Sequence, residues 1–360
     1  MSTLAQLHSA GTSVWLDDLS RDRLDSGNLS QLIAETGILG VTTNPSIFQA
    51  AMTTGSAYDA QLAQLGSRGL SADDAVYELA IQDVQRACDA FAETHRKTNG
   101  EDGWVSIEVD PRLARDADAT LAQAKTLRDR IDRDNIMIKI PATEEALPAI
   151  TATLAAGISV NVTLIFSEVR YRAVMDAFAA GLQQAATQGH NVSAIRSVAS
   201  FFVSRVDAEI DGRLEAIGTP TALELRGKAA IANARLAYAA FEDFFATHEL
   251  PAGAHVQRPL WASTSVKNPN YPADMYVVEL IGPRTVNTMP EQTLRATLDT
   301  ASTPENSLQG KAEESREVFA ALHECGIDFE DVFAKLENEG IEKFEASWRD
   351  LLSSVAQRLN

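Results

Sequence analysis

Short apolar runs rich in β-branched residues alternate with longer helical stretches along most of this chain. That alternation limits the fold more than any other feature. The runs are 13–17 (SVWLD), 38–43 (ILGVTT), 103–109 (GWVSIEV), 135–140 (NIMIKI), 158–164 (ISVNVTL), 194–200 (AIRSVAS), 259–263 (PLWAS) and 276–281 (YVVELI). Between them, 71–97, 111–130, 144–156, 168–188, 205–216 and 221–248 carry the 3.6-residue spacing of helices. Strands separated by helices imply right-handed βαβ units and a parallel sheet. Eight such units favour closure, so the expected fold is an α/β (β/α)8 TIM barrel with extra C-terminal helices. The 360 residues exceed the ~250 of a typical barrel. The stretches 49–102 and 201–257 are longer than one helix needs and should each hold an insertion. Residues 302–310 read as a polar loop, and 311–358 as two or three further helices. The whole chain, 1–360, reads as a single barrel domain with 290–360 as terminal helices packed on it.

A net charge of −19 argues against nucleic acid or an anionic membrane as partner, since both attract basic surfaces. No run of 18 apolar residues occurs, and Met1–His8 lacks a basic flank leading into an apolar core. Cys88 and Cys325 form no zinc or redox pattern. A cytoplasmic location is expected.

Only eight lysines are present, and one of them, Lys139, falls inside the apolar run Ile136-Met137-Ile138-Lys139-Ile140. Lysine is seldom buried unless paired or functional. In a dry site it can lose its proton and attack carbonyls. Strand side chains alternate between faces, which groups Met137 with Lys139; Ser106 with Glu108 and Asp110; Ser159 with Asn161 and Thr163; Trp15 with Asp17; and Gly40 with Thr42 and Asn44. Each opposite face is apolar, as helices require. The polar faces converge toward strand C-termini, where barrels of this type carry their chemistry. A buried Lys139–Glu108 ion pair is the bland alternative. Asp110, before Pro111, reads as a helix N-cap, and Asp17 reads equally as a cap or a site residue.

Five ordered motifs resemble the transaldolase family: GVTTNPSIF (40–48), SIEVD (106–110), IMIKIPAT (136–143), NVTLIFS (161–167) and SVASFFVSR (197–205). The resemblance spans about 10–290 and implies a metal-free barrel without cofactor. It also implies transfer of a dihydroxyacetone unit from a ketose phosphate (sedoheptulose 7-phosphate or fructose 6-phosphate) to an aldose phosphate (glyceraldehyde 3-phosphate or erythrose 4-phosphate). Under it, Lys139 is the Schiff-base lysine and Glu108 an acid/base acting on a water held with Thr163. Asp17 is the acid/base for C–C cleavage. Asn44 and Asn161 hold donor hydroxyls, while Ser200 and Arg205 hold phosphate. The family's second phosphate arginine is missing after strand seven, where Lys267 in WASTSVKNP (261–269) is the candidate.

An anionic Glu108 in direct contact would favour the ammonium form of the lysine, so the two are expected to be separated by water. The nearest alternative is a fructose-6-phosphate aldolase-type enzyme that releases free dihydroxyacetone. Phe202 stands where those relatives carry a tyrosine and favours transfer. Partners are small sugar phosphates, with a homodimer compatible with the reading. The six histidines lie outside the strand ends and form no ligand cluster.

Overall fold

The computed structural model describes residues 3–299 and 305–359. Eight parallel strands close in chain order into a barrel: β1 (Thr12–Leu16), β2 (Gly40–Val41), β3 (Trp104–Glu108), β4 (Ile136–Pro141), β5 (Val160–Ile165), β6 (Ser197–Phe202), β7 (Arg258–Ala262) and β8 (Thr285–Met289). The β1–β8 pairing, from Thr12 opposite Thr285 to Leu16 opposite Met289, completes the ring. At β2 the strand passes so close to Trp15 that a Cβ on Gly40 would lie 2.7 Å from the indole. Only glycine fits there.

Seven of the eight strands fall on the expected runs. The eighth does not: 276–281 is not a strand, and its first part lies in a short helix, Met275–Val278. The barrel closes instead with Thr285-Val286-Asn287-Thr288-Met289. Two threonines and an asparagine deprive that run of a uniformly apolar face. Asn287 is fully buried nonetheless, because its Nδ2 donates to the Tyr276 carbonyl at 3.0 Å. That bond satisfies the side-chain NH2, while Oδ1 stays buried without a partner. β6 begins three residues later than expected because a turn, Val192–Ala194, capped by Asn191, occupies its start.

Polar caps set where helices begin. Asn44, Ser71, Asp116 and Ser167 each accept from the amide three residues on, satisfying first-turn donors. Asp110 caps the turn Pro111–Leu113, as the sequence indicates. The two long stretches do hold extra helices, Asp59–Ser67 before Ala72–Lys97 and Pro220–Glu224 before Ala229–Thr247. Of the expected polar loop 302–310, residues 302–304 lie outside the described residues. Beyond it come Ala312–Glu324 and a 31-residue terminal helix, Phe329–Leu359.

That terminal helix packs against elements that follow β2 and β6, as well as β5 itself. Ser347 meets Ser46 at 2.7 Å, Glu337 pairs with Arg170 at 3.4 Å, and Asp331 pairs with Arg213 at 2.6 Å. Each partner sits just beyond a strand's C-terminus or in the helix that follows it, so the terminal helix spans the C-terminal rim.

The opposite end is plugged by Asp102, fully buried, which accepts from Ser13 Oγ at 2.7 Å and Trp15 Nε1 at 2.9 Å and pairs with Arg258 at 3.2 Å. No described helix is long and apolar enough to cross a membrane.

Candidate active site

β3, β4 and β5 bring the chemistry together by register. Glu108 lies opposite Lys139, and Lys139 opposite Asn161. Lys139 is 4% exposed, and its Nζ donates to the Thr43 carbonyl at 3.0 Å. Nζ also stands 3.5 Å from Glu108 Oε2. The expected water between them is therefore absent from the geometry. The two side chains meet directly, from opposed positions of neighbouring strands. At 3.5 Å the contact is ionic and too long for a good hydrogen bond, so Oε2 remains buried without a hydrogen-bond partner. Burial pushes the Glu108 carboxyl up to about 7 against the opposing pull of Lys139.

Asn161 is fixed in one orientation: its Nδ2 donates to Ser106 Oγ at 3.0 Å, and Ser200 Oγ donates to its Oδ1 at 2.7 Å. Ser200 thus braces Asn161 as well as lining the cavity. After Thr163 the strand carries a register shift between Val162 and Ile165, with Leu164 at φ +59°. Such bulges re-aim neighbouring side chains. Thr163 Oγ1 is buried without a hydrogen-bond partner.

Asp17 follows β1 and accepts from Thr42 Oγ1 at 2.6 Å. Burial raises its pKa above the ordinary aspartate value, while Lys139 and the Thr42 bond pull it back down. Asn44 uses Oδ1 to cap Pro45–Thr53, accepting from Ile47 N at 3.0 Å, which leaves its NH2 for a ligand.

A cavity of about 520 Å³ opens at this rim, and Asp17, Asn44, Lys139, Ser200, Phe202, Arg205 and Lys267 all line it. Glu108, Asn161 and Thr163 do not line it; they flank Lys139 on the adjoining strands, at most 6% exposed. The remaining wall includes Lys343 and Phe344 from the terminal helix and Thr288 from β8. Sequence reasoning missed all three. Gly340, in the middle of a long helix, is the one available signal for Lys343 and Phe344, since such a glycine often marks a close approach.

Charge divides the cavity. Asp17, Asp18 and Asp22 lie among its acidic lining, while Arg205, Lys267 and Lys343 are its basic residues besides Lys139. None of those three cations forms an ion pair among the described residues. Burial lowers the pKa of Lys267, and the Lys343 and Arg205 charges lower it further. Burial and the Arg205 charge lower Lys343 likewise. Cations that repel one another without counter-ions, in a chain of charge −19, form a receptor for an anion. Among the described residues no group of three or more His, Cys, Asp or Glu could hold a metal.

This is the architecture of a (β/α)8-barrel enzyme built around a lysine. The family model of transaldolase/fructose-6-phosphate aldolase matches residues 14–355. The chain is 56% identical to a transaldolase of Mycolicibacterium smegmatis, covering 99% of this chain and 97% of that protein. It is 55% identical to a transaldolase of Saccharopolyspora erythraea (100% and 98% covered) and 55% identical to one of an Arthrobacter species (97% and 95%). The chain belongs to the transaldolase/fructose-6-phosphate aldolase family.

Proposed function

We propose that this protein is a transaldolase of the pentose phosphate pathway, acting in the cytoplasm on sugar phosphates and using Lys139 as the Schiff-base residue. The observation that carries the reading is a lysine buried on the inner face of a closed barrel, touching one carboxyl and facing unpaired cations across the cavity. The names of the full-length relatives support transfer.

Neutral Lys139 attacks the C2 carbonyl of the ketose phosphate. Glu108, titrating near neutrality, supplies and removes protons as the carbinolamine loses water. The unpartnered oxygens Glu108 Oε2 and Thr163 Oγ1 support a shared water in that step. The protonated imine withdraws electrons, so the C3–C4 bond breaks to an enamine once Asp17 takes the C4 hydroxyl proton. Burial raises the basicity of Asp17 for this purpose. The aldose phosphate leaves, and a second aldose phosphate accepts the enamine at its aldehyde carbon. Hydrolysis then frees Lys139. Asn44 and the braced Asn161 hold donor hydroxyls, while Arg205 and Lys267 take the phosphate.

Phe202 lines the cavity with a ring that has no hydroxyl. This favours transfer over protonation of the enamine and release of free dihydroxyacetone. Borohydride with fructose 6-phosphate should add mass to the peptide holding Lys139, and Lys139→Ala should abolish the label. Omitting an acceptor aldehyde should leave little turnover. Labelling that survives in the Ala variant would refute the lysine assignment, and rapid turnover without acceptor would favour the aldolase.

A further inference from the structure

Arg205 opens the helix Ser204–Ile217 just beyond β6, half-buried at the cavity wall. It makes no hydrogen bond or ion pair among the described residues. Its guanidinium lies instead over two aromatic rings, 4.9 Å from the Phe202 centroid and 5.8 Å from that of Phe344. Phe202 comes from the barrel. Phe344 comes from the terminal helix, nearly 140 residues further on, and is 3% exposed.

The approach of that helix is specific. Gly340, one turn before Phe344 on the same face, sits where a Cβ would lie 3.0 Å from Leu164 Cδ2 and 3.5 Å from an Arg205 terminal nitrogen. The helix is held at this distance by Ser347 on Ser46 and Glu337 on Arg170. These contacts fix the helix, and with it the buried Phe344 ring that Arg205 lies over.

We infer that Phe344 is a positioning residue: with Phe202 it clamps the Arg205 guanidinium so that its donors stay free and aimed at the substrate phosphate. The inference rests on the proposed sugar-phosphate reaction. A flat guanidinium held by ring faces keeps its in-plane N–H fork for a phosphate, whereas an acid partner would consume that fork. The terminal helix thereby becomes part of the phosphate site rather than an outer buttress.

The test compares phosphorylated and unphosphorylated substrates. Phe344→Leu and Phe344→Met, assayed side by side so that a folding failure in one leaves the other, should raise KM for fructose 6-phosphate about tenfold. kcat should change little, and KM with dihydroxyacetone and glyceraldehyde should change far less than KM with fructose 6-phosphate. Phe344→Tyr, which keeps the ring, should restore the low KM. Equal losses on both substrate classes, or a Tyr variant no better than Leu, would overturn the inference. Borohydride trapping with dihydroxyacetone reads the lysine chemistry separately. A label at Lys139 with an unchanged phosphate KM in Phe344→Leu defeats the clamp alone, whereas no label in the parent protein defeats the reaction.

Discussion

Lys139 Nζ lies 3.5 Å from Glu108 Oε2, across directly opposed positions of β3 and β4, with both side chains about 95% buried. This closeness reconciles two readings of the lysine. The pair is an inter-strand ion pair, and it is also a proton donor and acceptor held next to a nucleophile. A buried pair gains little net stability once desolvation is counted, so its geometry is better explained by chemistry.

The first consequence concerns pH. The Glu108 carboxyl has an ordinary value near 4.5 and is raised to about 7 in the fold. Between those values the folded protein binds more protons than the unfolded chain. Stability therefore falls as pH rises through that window, and the contribution is complete only below the unfolded value. Glu108→Gln should flatten this part of the stability–pH profile and remove the limb near pH 7 from kcat/KM. It should also slow turnover by ~10²–10⁴-fold. Denaturant midpoints and rates measured from pH 4.5 to 8 check both; an unchanged pH limb in the variant would reassign the proton carrier.

Removing the other partner has a different signature. Lys139→Ala leaves Glu108 buried without its counter-charge, which costs about 3–5 kcal/mol when the acid stays ionised. The acid can escape that cost by taking a proton. The variant should thus melt well below the parent at pH 8 and approach it near pH 5. In the double variant with Glu108→Gln, the gap at pH 8 should close, as coupling between contacting residues requires. Thermal melts at both pH values decide the matter.

The cation end of the cavity should separate by substrate. Arg205→Ala removes a bidentate grip and should raise KM for sugar phosphates ~100-fold. Lys267→Ala removes a single point charge without a bidentate fork and should raise it ~5-fold. Added salt should weaken phosphorylated substrates in the parent and much less in the double variant. Steady-state kinetics in 0.05 and 0.5 M salt, with dihydroxyacetone as the uncharged control, provide the measurement. If the control suffers equally, the two cations serve the fold rather than phosphate.

Strand phase alone placed Lys139, Glu108, Asn161 and Thr163 on one inner face, because a period of two leaves no third choice once the outer face is apolar. Asp17 and Asn44 were legible through their positions at or just beyond strand ends, where caps and loop starts gather polar groups, whereas Arg205 was read only through the family resemblance. What escaped detection depended on partners distant in sequence. Asn287 fits a buried β8 only when the Tyr276 carbonyl is seen to accept from its NH2. Lys343 and Phe344 belong to the site only because Gly340 lets a helix from the far end of the chain lie across the rim. The spacing of Glu108 and Lys139 was misjudged for a simpler reason. Electrostatics argued for a water between them, but the two side chains meet at 3.5 Å, and burial raises the carboxyl's pKa against the pull of the lysine.

The barrel's other end separates stability from chemistry. Asp102 and Arg258 are paired at 3.2 Å, at most 6% exposed, and bound to β1 through Ser13 and Trp15. None of these residues lines the catalytic cavity. Asp102→Ala would leave Arg258 with Glu101 as its remaining acid partner at 3.3 Å and Trp15 Nε1 without its acceptor, so it should cost about 3 kcal/mol. At a temperature where the variant remains folded, kcat and KM should match the parent, because Lys139 and its partners sit at the opposite strand ends. Asp102→Asn keeps one acceptor, which can serve Trp15 Nε1, and its NH2 can donate to Ser13 Oγ, so it should lose less. Denaturant titrations rank the three proteins, and parallel kinetics at low temperature test independence. A large fall in kcat for folded Asp102→Ala would mean that the floor of the barrel transmits its geometry to the lysine.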